Sequence, residues 1–84
     1  MSARKMFEEL EMFPDRYTDT MWEDILEYSN KTKTMNVRFY LFNNFVEVRS
    51  EQGFATFIDM NLLKAINKQC EELEWNKWVY MKAV

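Results

Sequence analysis

The sequence predicts a small α+β domain: an antiparallel sheet of three to four strands, covered on one face by an N-terminal and a C-terminal helix. Three observations carry this. Met6, Phe7, Leu10 and Phe13 recur at helical spacing near the start. Leu62, Leu63, Ile66, Cys70 and Leu73 do so again late in the chain. Between them, apolar and polar residues alternate on both sides of Asn43-Asn44. At 84 residues the chain has room for one domain, residues 1–84, and one core.

The first helix is predicted from Ala3 to Met12, with Ser2 as its N-cap and Pro14 as its stop. The segment from Asp15 to Ser29 supports two readings. Thr20-Met21-Trp22-Glu23 fits a capping box that opens a short helix through Leu26. The alternation of Trp22, Asp24, Leu26 and Tyr28 with their neighbours fits a strand instead, and Ile25–Ser29 is assigned to strand. Val37, Phe39 and Leu41, the Asn43-Asn44 turn, then Val46 and Val48 make a β-hairpin. Glu51-Gln52-Gly53 reads as a turn, and Phe54–Ile58 as a further short strand. Asp59 caps a second helix predicted from Met60 to Glu74, followed by a tail carrying Trp75, Trp78 and Tyr80.

Composition bounds the function by exclusion. With no histidine, Ser-His and Cys-His nucleophile activation are ruled out, as is every metal site that needs histidine. The single Cys70 cannot form a disulfide within the chain or a thiolate zinc site, and one glycine leaves no glycine-rich phosphate cradle. Cys70 lies on the apolar stripe of the second helix and reads as a small buried hydrophobe, not a nucleophile. No catalytic, cofactor-binding or metal-ligating residue is therefore assigned. No stretch approaches a membrane span, and Met1–Lys5 lead into a charged helical pattern where a signal peptide would be apolar. The expected location is the cytoplasm, without membrane contact.

Charge is unevenly distributed. Glu8 to Glu27 hold eight acids against the single base Arg16, within a net charge of −3. Arg4 and Lys5 stand at the start of the first helix, while Glu71, Glu72 and Glu74 crowd the end of the second. Both placements oppose the helix dipole at about 0.3–1 kcal/mol per exposed charge. Pairs Arg4–Glu8 and Lys68–Glu72 would recover part of that.

Ala3-Arg4-Lys5-Met6-Phe7-Glu8-Glu9-Leu10 resembles the opening of short uncharacterised proteins carried by phages and prophages of Gram-positive bacteria. Ile66-Asn67-Lys68-Gln69-Cys70-Glu71-Glu72-Leu73-Glu74-Trp75 resembles their closing helix. The two stretches cover under a quarter of the chain, and neither has an assigned chemistry. In that group a glycine typically follows the first Leu and precedes the last Trp, which suits a left-handed helix cap. Glu11 and Glu74 stand in those places here. The resemblance implies an origin on a mobile element, a class that includes small inhibitors of host defence such as anti-CRISPR proteins.

The functional expectation is a non-enzymatic protein–protein interaction module. In its specific form it is a phage-encoded inhibitor whose acids occupy the basic groove of a host nucleic-acid enzyme or defence system. The expected contact residues are Glu23, Asp24, Glu27, Glu71, Glu72 and Glu74, with Trp75, Trp78 and Tyr80 as aromatic anchors. Direct nucleic-acid binding is not expected from an acidic chain. Still, Arg38 and Arg49 with Lys31 and Lys33 on a sheet would be the route to it. The aromatic surplus also suits a homodimer or other homo-oligomer.

Overall fold

Seven residues make the first helix, and its start follows the predicted chemistry. The computed structural model describes residues 1–51 and 58–75, in the order α1 (Ala3–Glu9), β1 (Phe13–Thr18), β2 (Asp24–Ser29), β3 (Met35–Tyr40), β4 (Phe45–Ser50) and α2 (Met60–Glu72). Ser2 Oγ accepts from the Lys5 amide at 3.2 Å and so opens α1. The end differs from expectation. Glu11 is left-handed at φ 60° and turns the chain away after Leu10, so α1 stops at Glu9 and not at Met12. Pro14 is not the stop, because it lies within β1. Phe13, expected on the helical stripe, starts that strand and is exposed.

The described residues fall into two compact units, one holding residues 1–10 and 58–75, the other residues 11–51. In the helical unit α1 packs against α2. Asp59 caps α2 as predicted, its Oδ1 accepting from the Leu62 amide at 2.8 Å. The helix ends at Glu72, and Glu74 is left-handed at φ 63°. Left-handed caps thus form at both positions without glycine. The buried stripe of α2 is Leu62, Ala65, Ile66 and Gln69, while Leu63 is exposed and Cys70 half-buried. Position 63 lies one helical step off the line through 62, 66 and 69, which is why it faces outward.

Residues 11–51 form a four-stranded antiparallel meander, β1-β2-β3-β4. Together with the two helices this makes an α+β protein. The hairpin matches its expected place, with β3 and β4 joined through a turn in which Asn44 adopts φ 58° and donates to the Tyr40 carbonyl at 2.8 Å. Within the second segment the strand reading holds, since Asp24–Ser29 is β2. The helix from Thr20 does not form, because Trp22 at φ 65° is incompatible with one. β1 had no sequence assignment. The strand proposed at Phe54–Ile58 lies outside the described residues except for Ile58, which belongs to no element.

Register divides the sheet into two faces, because directly paired residues point the same way and neighbours along a strand point oppositely. One face carries Leu26 and Tyr28, Val37 and Phe39, and Val46 and Val48. Val37 and Phe39 are fully buried there, and Tyr28 meets Phe39 edge-on at 6.2 Å. The other face is mixed, and its cross-strand rows position the candidate site.

Candidate binding surface

Three cross-strand rows run over the mixed face. The first joins Tyr17, Ile25, Tyr40 and Phe45. The second joins Asp15, Glu27, Arg38 and Glu47, and the third Phe13, Ser29, Asn36 and Arg49. In the second row Arg38 Nε donates to Glu27 Oε1 at 2.7 Å, and Glu27 also accepts from the Tyr17 hydroxyl at 3.3 Å. The Glu27 carboxylate raises the Arg38 guanidinium above its usual value despite partial burial. The Tyr17 phenol is pushed up, first by burial and then by the nearby Glu27 charge. The Tyr40 hydroxyl donates to Glu47 at 2.9 Å, and its ring lies 4.6 Å from that of Phe45.

The expected acidic contact residues are engaged within the chain. Glu27 has a side chain only 13% exposed, so the expectation that it lies open is corrected. Asp24 accepts from Arg16 Nη2 at 2.6 Å and from its Nε at 3.3 Å. That fork of hydrogen bonds holds the Asp24 carboxyl below the ordinary carboxylate range and raises Arg16 in turn. Glu23 Oε1 accepts from the Phe42 amide at 2.9 Å and Oε2 from Asn43 Nδ2 at 2.9 Å. The partners lie 8 to 20 residues away in sequence, in strands and turns that only the sheet brings together.

Glu23 thereby ties the β1–β2 loop to the β3–β4 turn. The β1–β2 loop is itself tightly determined by Asp19. Its Oδ1 accepts from the amides of Met21 (2.8 Å) and Glu23 (2.9 Å), and its carbonyl from that of Trp22 (3.1 Å). These bonds hold Trp22 left-handed, a rare state for a bulky residue that costs about 1–2 kcal/mol. The side chains left outside are large and apolar. Met21 is 82% exposed, Trp22 81%, Phe42 71% and Phe45 51%. All four belong to one end of the sheet, where two loops are bonded to each other and the aromatic groups face water.

In the helical unit the expected acids have separate roles. Glu72 Oε2 accepts from the Ala3 amide at 2.8 Å, placing an anion at the start of α1 where the backbone amides favour one. Lys68 therefore pairs with Glu71, at 3.4 Å, and not with Glu72; the Arg4–Glu8 pair forms as predicted at 3.4 Å. Glu74 occupies the left-handed cap, and Trp75 beside it is half-buried. Trp78 and Tyr80 lie outside the described residues. Burial raises the Cys70 thiol above its usual value, the direction of an unreactive side chain.

Trp22, Met21 and Phe42 were not among the expected contact residues. The available signal was the placement of bulky apolar groups in turns, beside Asp19 and Asn43-Asn44, where folding has least use for them. Among the described residues, no helix is long and apolar enough to cross a membrane, and no group of three or more acids or cysteines is placed to hold a metal ion. Comparison with protein-family models, curated proteins and solved structures finds no match to this chain.

Proposed function

We propose that the chain is a non-enzymatic protein-binding module whose contact surface is the loop end of the sheet, centred on Trp22 and Phe42. The observation that carries this reading is the exposure of three large apolar side chains, Met21, Trp22 and Phe42, on two loops that Glu23 fixes together, with Phe45 beside them at the start of β4. Aromatic side chains on a held backbone have few rotatable bonds to lose on binding, which is why Trp is a preferred interface anchor. The retained left-handed geometry of Trp22 points the same way, since strain of this kind concentrates where a side chain must be presented.

The narrower form is a phage-encoded inhibitor of a host nucleic-acid enzyme or defence system that occupies a basic groove. It asks for carboxylates free to meet cations, and Glu23, Asp24 and Glu27 are already bound within the sheet. In this form too, the aromatic end makes the anchoring contact and the net charge of −3 serves long-range attraction. Capture from lysate with the tagged chain, run beside a Trp22→Ser/Phe42→Ser variant of unchanged circular dichroism, tests the assignment. A protein retained by the parent and lost by the variant supports it. Equal retention by both places the contact elsewhere.

A further inference from the structure

We infer that the opposite end of the sheet carries a site for a small phosphate-bearing ligand, held between Lys33 and Arg49. The two cations are 16 positions apart in sequence, and the third cross-strand row brings them together. Ser29 pairs with Asn36 and Asn36 with Arg49, so the three side chains share one face at adjacent positions. Lys33 joins that row from the β2–β3 turn, its Nζ donating to Ser29 Oγ at 3.1 Å. A cavity of about 250 Å³ opens at this place, lined by Lys33, Asn36 and Arg49, with Thr34, Ser50 and Glu51 at its sides.

Each cation is positioned and retains donors. Asn30 holds the turn, its Oδ1 accepting from the Thr34 amide at 3.0 Å and the Met35 amide at 3.3 Å, and its carbonyl from the Lys33 amide at 3.1 Å. Those bonds keep Lys33 left-handed at φ 61°. The ammonium has two N–H groups beyond the one given to Ser29. Arg49 Nε forms a long ion pair with Glu47 at 4.0 Å, beyond hydrogen-bonding distance, so its N–H groups are not hydrogen-bonded to that carboxylate. Asn36 supplies a different requirement. Its Oδ1 is buried with no hydrogen-bond partner among the described residues, a state that leaves an acceptor unsatisfied. A phosphate monoester with a neighbouring hydroxyl would answer both needs: its oxygens accept from Lys33 and Arg49, and Asn36, which lines the cavity, would meet the hydroxyl once its amide rotates to bring the sealed oxygen outward. Glu51 at the side and Glu47, 4.0 Å from Arg49, both oppose anions, so the two cations balance one phosphate group at most and not a run of them.

Amide shifts of the labelled chain, titrated with inorganic phosphate and then with glycerol 3-phosphate, test this. Saturable shifts confined to Lys33, Thr34, Asn36, Arg49 and Ser50 are expected with both, tighter for glycerol 3-phosphate. Arg49→Gln should weaken the binding by about tenfold, and Lys33→Gln by a similar factor, as expected for loss of a charge-assisted bond. Asn36→Ala should remove the preference for glycerol 3-phosphate over phosphate. Shifts scattered over the surface, or unchanged affinity in both charge variants, overturn the assignment. So does an oligonucleotide that moves these amides while glycerol 3-phosphate does not. The Trp22 end plays no part in the measurement, so the two proposals fail separately.

Discussion

Glycine at position 11 should stabilise this protein, although it removes a side chain from an ordered turn. Glu11 is exposed and left-handed at φ 60°, where the Cβ of any L-residue crowds its own backbone at a cost of about 1–2 kcal/mol. Glycine removes that cost and adds back about 0.4–1 kcal/mol through the freedom it gives the unfolded chain. The difference is a gain of roughly 0.5–1 kcal/mol, or about 2–8 °C in Tm for a domain of this size. Thermal unfolding followed by far-UV circular dichroism reads it directly. Glu8→Gly is the control, since Glu8 has helical geometry in α1 and glycine there should cost about 1 kcal/mol. If Glu11→Gly melts below the parent, in step with Glu8→Gly, the left-handed cap is misassigned and the reasoning fails.

Glu27→Lys should destabilise the sheet by about 2–3 kcal/mol, because it sets a second cation against Arg38 in a largely buried position; denaturant unfolding that leaves the midpoint in place would contradict this. Glu23→Ala should speed hydrogen exchange of the Phe42 amide and cost about 1 kcal/mol, since one carboxylate holds both loops; unchanged protection at Phe42 would show that the loops are fixed otherwise. The depressed Asp24 carboxyl stabilises the fold at pH above its ordinary value of 3.8, and that stability is lost as pH falls through the folded-state value. Asp24→Asn should therefore flatten the acid limb of a stability–pH curve, and an identical limb would dismiss the Arg16 pairing. Cys70 should label slowly with a thiol reagent in the native state, and rapid labelling would expose it as accessible and reactive.

The hairpin was legible because β3 and β4 alternate cleanly around Asn43-Asn44, and α2 because Asp59 caps a regular stripe. β1 was not. Its Phe-Pro-Asp-Arg-Tyr-Thr run holds Pro14 and two charges, which suit a strand only beside β2 at the end of the strand order. The capping box at Thr20 misled because Glu23 finds tertiary partners, Phe42 and Asn43, which a local pattern cannot anticipate. For the same reason three acids that look open in sequence are bound, since Arg16, Arg38 and Asn43 reach them only through strand pairing. Periodicity ran the first helix on through Glu11 to Met12 and the second to Glu74, and only the glycine positions of the resembling proteins pointed to a cap at each. What composition hid is that a non-glycine residue takes the left-handed turn at each.

If binding is anchored at Trp22, dissociation kinetics will carry the signature. Against the partner recovered by capture, Trp22→Ala should raise the dissociation rate by about tenfold or more with little change in association, because a buried aromatic anchor acts after encounter. Lys31→Ala, an exposed residue at the opposite end of the sheet, should leave both rates as they are. Dissociation of Trp22→Ala at the parent rate, with folding intact, would contradict the account.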